Sequence, residues 1–212
     1  MNLAPARLPR RRDEARALFR NAILDAAEIV FAERGFHGAR IQDIAERARI
    51  AVGTVYNHFK QKDDVLSALL EERMGALLER VRSASTDPRD FRPRLEARLA
   101  RMFTYVEEHR AFFAIANEHG LFAGTAAPGA RSAPRNVQQM ETFRKVFRAI
   151  VREGIASGAL ESLDARALAL FLAATMRAFV LSSLSESGSD APSRAATMVD
   201  LFLHGAGRRG IR

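Results

Sequence analysis

The chain has 212 residues, of which 48% are hydrophobic and 27% charged, an ordinary composition for a globular protein with a substantial core. It contains no cysteine, which excludes disulfides and thiolate chemistry and fits a reducing cytoplasm. The formal net charge is +8, and the first 62 residues carry 12 basic and seven acidic side chains. This excess of positive charge favours a polyanionic partner.

The N-terminal segment 1–14 is basic and has no apolar run behind it, so it is predicted to be a flexible basic arm and not a secretory signal. The most apolar region, 167–185, is interrupted by Arg177. Neither half reaches the roughly 20 residues that a membrane span needs. These features predict a cytoplasmic protein with no membrane partner.

Helical periodicity runs along most of the chain, and strand signals are nearly absent. The pattern predicts an all-α protein of about nine helices, at about 15–34, 41–48, 52–58, 63–82, 88–108, 110–119, 135–157, 164–186 and 193–205. Gly35 is expected to end the first helix as a left-handed cap. The predicted division is an arm over 1–14, a DNA-binding domain over 15–65 and a C-terminal domain over 66–212.

Two short predicted helices, 41–48 and 52–58, are joined by a tight turn and follow a longer helix. This is the layout of a helix-turn-helix, whose second helix fits the major groove of DNA. The apolar residues that would hold the two helices together are Ile44, Ala45, Ile50, Val55 and Phe59. The first third of the chain is therefore predicted to bind double-stranded DNA.

The second short helix carries the predicted DNA contacts. Side chains able to donate hydrogen bonds to phosphate oxygens are Thr54, Tyr56, His58 and Lys62. Residues better placed to meet base edges or thymine methyls are Val52, Gly53 and Asn57. Gly53 would also let the N-terminus of this helix approach DNA closely. The alternative is that Tyr56 and Phe59 are core aromatics of a small bundle, but burying the polar tips of Tyr56 and His58 would need partners.

The segment IQDIAERARIAVGTVYNHFKQKDDVLSALLEE, with RGF before it, resembles the DNA-binding segment of TetR/AcrR-like transcriptional regulators. The resemblance covers about 50 residues. It implies an N-terminal three-helix helix-turn-helix domain joined to a C-terminal helical ligand-binding and dimerisation bundle. It further implies a homodimer on a palindromic operator and release from DNA by a small-molecule effector.

Three positions depart from the usual pattern of that family. Ala39 stands where threonine is usual, Arg49 where glycine is usual and Ala51 where serine is usual. The loss of a helix cap costs about 0.5–2 kcal/mol, and arginine in a left-handed turn costs about 1 kcal/mol. One hypothesis is that Arg40 and Arg49 supply phosphate contacts instead.

The predicted helix 164–186 is apolar almost all round and must be covered on every side. Covering by a second copy of the chain, with 193–205 as the second helix from each subunit, predicts a four-helix dimer interface. The alternative is an ordinary monomer core.

Aromatic and methionine side chains of the C-terminal helices could line a cavity for an apolar or amphipathic ligand, or could form a filled core. The candidate pocket residues are Phe103, Phe112, Phe113, Asn117, Phe143, Phe147, Met176 and Arg177. Arg177 is singled out because a charge inside an apolar helix needs a partner, which could be a ligand anion, Glu118 or solvent at a dimer edge.

The sequence contains no G-x-S-x-G, P-loop or H-E-x-x-H motif, and no enzymatic activity, cofactor or metal is predicted. The prediction is a DNA-binding transcriptional regulator, favoured as a repressor, that a small apolar or amphipathic ligand releases from a palindromic operator. One alternative is a ligand-independent DNA-binding protein with a filled C-terminal core. Another is a small-molecule-binding helical bundle that does not bind DNA.

Overall fold

The computed structural model describes residues 11–82, 90–118, 134–185 and 190–206. Within these ranges it contains nine helices and no strand, which confirms the predicted all-α fold. The helices are α1 (Arg11–Gly38), α2 (Ile41–Ala48), α3 (Val52–His58), α4 (Lys62–Arg82), α5 (Phe91–Glu108), α6 (Arg110–Glu118), α7 (Pro134–Ala156), α8 (Ala165–Ser185) and α9 (Ala191–Ala206). The chain divides into two compact units, Met1–Leu70 and Glu71–Arg212, and the division falls within α4.

The first unit is built on one face of α1. Its side chains Ile23, Leu24, Ala27 and Phe31 are at most 1% exposed, and α1 packs against α2, which packs in turn against α3. These apolar residues follow the spacing of three and four that places side chains on one face of a helix. The second half of α1 therefore forms the floor on which the two short helices lie.

Both ends of α1 differ from the sequence prediction. The flexible arm predicted over 1–14 is wrong from Arg11 onward, because α1 begins there, while residues 1–10 lie outside the described ranges. Gly35 has a φ of 67° as expected, but its ψ of 164° is extended and not left-handed helical. It kinks α1, and helix resumes to Gly38.

The second unit surrounds α5, which packs against α6, α7, α8 and α9. Its core side chains Leu95, Leu99, Met102 and Phe103 are fully buried. Among the described residues of this unit, two arginines are buried as well, and each has a carboxylate partner. The Arg98 guanidinium lies 2.8 Å from Glu153 on α7, and that of Arg194 on α9 lies 2.6 Å from Glu107. These pairs connect α5 to α7 and α9 and compensate the cost of burying the charges.

The eight residues predicted to line a ligand pocket do not form one group. Six are buried in the second unit, namely Phe103, Phe112, Phe113, Phe143, Phe147 and Met176. Asn117 and Arg177 are exposed, which corrects their assignment to an enclosed site. In the single chain, Arg177 lies on the exposed side of α8, the side that also carries Leu170. The sequence could not show this, since a helix that is apolar almost all round does not reveal which side faces the core.

Helix α8 also corrects the expectation that no segment is long enough to cross a membrane. It runs unbroken through Arg177 for 21 residues and has a mean hydropathy of 1.8. By length and composition alone, it is long and apolar enough to cross a membrane. One such helix is weak evidence for a membrane span, because core helices pass the same test. On this helix Leu170 is 72% exposed and Phe171 47% exposed, so its apolar surface is only partly covered within one chain.

Two glycines in helices allow a matched test of packing. A Cβ on Gly154 would lie 2.6 Å from both Leu160 Cδ1 and Phe91 Cζ, and both neighbours are buried, whereas a Cβ on Gly75 would meet nothing within 4 Å. We expect Gly154→Ala to lower the free energy of unfolding by about 1–3 kcal/mol, because overpacking strains the core. Gly75→Ala should raise it by up to about 1 kcal/mol through helix propensity. Urea denaturation measures both changes, and an unchanged midpoint for Gly154→Ala would show that the neighbours repack freely.

Candidate nucleic-acid interface

Helices α2 and α3 are held by a turn whose hydrogen bonds end α2 sharply. Arg49 has φ 56° and ψ 43°, the left-handed conformation expected for this position. The Arg49 N–H donates to Glu46 O at 3.0 Å, and the Ile50 N–H donates to Ala45 O at 3.0 Å. This is the Schellman pattern, which usually has glycine at the left-handed position. Ile44, Ala45 and Val55 are buried and hold the two helices together.

Helix α2 is tied to α1 by charged side chains. Asp43 accepts a hydrogen bond from the Arg40 N–H at 2.9 Å and one from the Arg34 guanidinium at 2.6 Å. Glu33 and Arg47 form a second ion pair between the same helices. The Asp43 carboxylate, at the third position of α2, therefore accepts the backbone N–H of the N-cap residue Arg40, as the acidic residue of a capping box does. Within the described part of the chain no side chain caps α3, whose N-cap position is occupied by Ala51.

The predicted DNA-contact residues of α3 lie on its accessible side. Gly53, Tyr56 and Asn57 are exposed, with Tyr56 at 49%, and Val52, Thr54 and His58 are half-buried. Arg40 is exposed just before α2. The opposite side of α3 packs inward through Val55, with Phe59 following it. Tyr56 is therefore not a core aromatic, and the polar side of α3 is free to meet a partner.

Lys62 needs a different assignment. Its ammonium donates to Phe36 O at 2.5 Å, to Ala39 O at 2.8 Å and to His37 O at 3.2 Å, and it lies 4.6 Å from the centre of the Phe36 ring. An ammonium has three donors, and all three are used. Lys62 thus binds the carbonyls at the end of α1, and the prediction that it contacts phosphate is corrected. These partners are more than 20 residues away along the chain, so local pattern gave no sign of them.

A groove of about 740 Å³ lies between the N-terminal part of α1 and α3. From α1 it is lined by Asp13, Arg16 and Phe19, and from α3 by Thr54, Asn57 and His58. Partial burial lowers the pKa of His58 below its ordinary value of 6.5, and the positive charges of Arg16 and Arg20 lower this pKa further. The imidazole is therefore neutral at neutral pH and can donate one hydrogen bond and accept another.

The α1 side of this groove was not predicted from the sequence. Arg16 and Arg20 are four residues apart, a spacing that places two side chains on one face of a helix. The predicted helix 15–34 already contains both arginines, so the sequence could show that they share a face of a helix. It could not show that this face lines a groove with α3, because that placement is fixed only when the helices pack.

Comparison with known proteins agrees with this geometry. Residues 23–69 match the family described as bacterial regulatory proteins, tetR family. The chain is 32% identical over 149 residues to the fatty acid metabolism regulator protein of Bacillus subtilis, covering 68% of this chain and 72% of that relative. The chain belongs to the TetR family. It is also 28% identical over 139 residues to the transcriptional repressor KstR2 of Mycobacterium tuberculosis, which covers 66% of this chain and 68% of that protein.

A solved structure extends the similarity to the second unit. The transcriptional regulator FadR from Bacillus subtilis, in complex with stearoyl-CoA, superposes with a TM-score of 0.72 at 26% identity. The match covers 87% of this chain and 98% of that chain. This TetR-family protein is accordingly a DNA-binding transcriptional regulator with a helix-turn-helix in its first unit and a helical second unit.

Arg49 allows a test in which stability and DNA affinity change in opposite directions. We expect Arg49→Gly to raise the free energy of unfolding by about 1 kcal/mol, because glycine adopts the left-handed conformation without strain. If Arg49 contacts phosphate, the same change should weaken DNA binding and flatten its salt dependence. Urea denaturation and fluorescence anisotropy measure the two effects. Arg49→Ala is the control, since it removes the charge without relieving the backbone, and unchanged DNA affinity in both variants would exclude the contact.

Proposed function

We propose that this regulator is a homodimer that represses transcription from a palindromic operator. The DNA-contact residues in this proposal are Arg40, Val52, Gly53, Thr54, Tyr56, Asn57 and His58. The observation that carries it is the accessible polar side of α3, opposite a face that is sealed by Val55. A helix placed in this way can enter a major groove about 12 Å wide.

The dimer is proposed to form through α8 and α9. Leu170, Phe171 and Leu201 are 72%, 47% and 56% exposed on these two helices, and the rings of Phe171 and Phe202 stack with centroids 6.0 Å apart. Large apolar side chains clustered on neighbouring helices favour burial against a second copy. Two-fold symmetry would then present two α3 helices at half-sites about 34–36 Å apart. The regulator would act in the cytoplasm, without enzymatic activity.

The proposed effector is a long-chain fatty acyl-CoA. Support comes from the relatives, one named a fatty acid metabolism regulator and one solved with stearoyl-CoA. It also comes from the aromatic content of the second unit, where Phe112 and Phe113 pack edge to face at 5.1 Å and Phe143 and Phe147 stack at 6.3 Å. Such side chains suit an acyl chain. The alternative of a filled core without an effector predicts no response to any acyl compound.

DNA recognition is tested by selecting binding sites from random duplexes with the wild-type protein. We expect a palindromic site, and an affinity whose logarithm falls with log salt by about 0.9 per neutralised phosphate. Tyr56→Phe should weaken binding similarly on all sequences, whereas Asn57→Ala should change sequence preference. A protein that selects no site from the library would contradict the proposal.

The effector is tested by adding stearoyl-CoA to the protein bound to its selected duplex. We expect release of the DNA, and stabilisation of the free protein by about 2.7 kcal/mol at a hundredfold excess over Kd. Coenzyme A alone, which lacks the acyl chain, is the matched control and should do neither. KstR2 is named a ketosteroid regulator, so a steroid is the second compound to test. Full DNA occupancy and an unchanged Tm with every compound would favour the ligand-independent alternative.

A further inference from the structure

The N-terminal part of α1 extends beyond the packed core of the first unit. Every residue from 13 to 19 is exposed, and the buried face of α1 begins only at Ile23 and Leu24. Among the described residues, Arg16 makes no hydrogen bond or ion pair to another side chain, so its guanidinium is available. This extension contributes little to the core of the first unit. Its exposed surface is therefore available to bind a partner.

The same extension forms one wall of the groove beside α3. Arg16 lies on the α1 wall, with Thr54, Asn57 and His58 on the α3 wall. The positive charges of Arg16 and Arg20 lie near enough to the His58 imidazole to lower its pKa, in addition to the larger effect of partial burial. Phe19, 44% exposed, gives the groove an apolar surface. The opposing charge among the lining residues is the carboxylate of Asp13.

The position of the groove decides what it can hold. An α-helix with side chains is about 10–12 Å across, and the major groove is about 12 Å wide. When α3 enters a major groove, a sugar–phosphate strand must therefore run directly along its flank. The flank that carries Thr54 and His58 is the wall of this groove, so a small ligand bound there would compete with the duplex.

We propose that the groove between α1 and α3 receives a sugar–phosphate strand of the operator, with Arg16 as a phosphate ligand and Phe19 packed against deoxyribose. The inference rests on the proposed DNA contacts of α3 and adds contacts from α1, the opposite wall of the groove. It makes α1 a part of the DNA-binding surface, beyond its role as the floor of the helix-turn-helix. In the same groove Asp13 should weaken DNA binding, because its carboxylate repels the phosphate.

The test uses two charge variants whose effects have opposite signs. Affinity is measured by fluorescence anisotropy across a salt series, on the duplex selected by the wild-type protein and on an unrelated duplex of the same length. We expect Arg16→Gln to weaken binding to both duplexes by a similar factor and to reduce the salt slope by about 0.9 per subunit. Asp13→Asn should tighten binding to both, and Arg16→Lys should keep the wild-type slope.

The matched control is Arg152→Gln, which removes one exposed positive charge from α7 in the other unit. It should leave the slope unchanged, so that a general effect of net charge is excluded. Because Arg16 is exposed, its substitution should not disturb the fold. Circular dichroism and thermal unfolding of each variant verify this. A wild-type slope in Arg16→Gln, or weaker binding by Asp13→Asn, overturns the inference. Failure of the wild-type protein to select any duplex overturns the proposed function as well, so the two failures are distinguishable.

A second readout does not depend on affinity. Among the described residues, Arg16 and Arg20 on α1 act electrostatically on His58, and Asp13 on α1 lines the same groove. The other residues of α3 are neutral. In the free protein, NMR titration of His58 should give a higher pKa in Arg16→Gln than in wild type, because a nearby positive charge is removed. Addition of the selected duplex should raise the His58 pKa in the wild type, since phosphate favours the imidazolium. Binding would then take up protons and tighten as pH falls toward 6.5 and below, and a pKa that DNA does not move overturns the placement of the strand.

Discussion

Gly53→Leu is expected to abolish specific DNA binding while leaving the protein folded. A Cβ at Gly53 would meet nothing within 4 Å inside the protein, and leucine is a better helix former than glycine. The added side chain would occupy the space in which the N-terminus of α3 meets base edges and phosphates. Each lost base contact is worth about 1–3 kcal/mol, and two subunits lose them together, so the affinity should fall by more than about 100-fold.

The control for this change is Gly75→Leu, because Gly75 is also a helical glycine whose Cβ would meet nothing. It adds the same apolar side chain to the part of α4 that belongs to the second unit, and the variant should bind DNA as the wild type does. Anisotropy with the selected duplex measures the affinity, and thermal unfolding confirms the fold of each variant. If Gly53→Leu bound its site at wild-type strength, the N-terminus of α3 could not lie against DNA, and the proposed set of contacts would have to be abandoned.

Leu170→Glu is expected to convert the proposed dimer to monomers and to remove high-affinity binding to a palindromic site. Leu170 is 72% exposed in the single chain, so the change does not disturb the core of one subunit. Burial of a leucine is worth about 1.5–3 kcal/mol, and symmetry places two copies in the interface. A buried carboxylate without a partner adds a further cost. The dimer should therefore dissociate more than about 100-fold more readily.

Analytical ultracentrifugation measures this dissociation, and anisotropy compares a full palindrome with a single half-site. The monomer should bind both duplexes equally weakly, because only one α3 can engage. Ile29→Glu is the matched control, since Ile29 is 43% exposed on α1, outside α8 and α9. It should leave the oligomeric state unchanged. A Leu170→Glu protein that remained dimeric would move the interface to a different surface.

Most of the secondary structure could be predicted because it is a local property. The predicted helices 41–48 and 52–58 agree with α2 and α3, since hydrophobic periodicity and a tight turn act within a few residues. The left-handed conformation of Arg49 was likewise expected at its place in the turn. Helix ends were less certain, and α1 begins four residues before its predicted start because the first turn carries Asp13 and Glu14, which favour a helix N-terminus.

The sequence by itself determined that the chain is helical, that two short helices form a helix-turn-helix and which side of α3 is polar. Only the tertiary structure decided which charges are available to DNA. Lys62 is saturated by the carbonyls of Phe36, His37 and Ala39, whereas Arg16 lines a groove beside α3. It also decided that Arg98 is buried with Glu153 while Arg177 is exposed. Periodicity records which residues share a face of a helix, but hydrogen bonds and ion pairs join residues far apart in the chain, and their positions are fixed only when the helices pack.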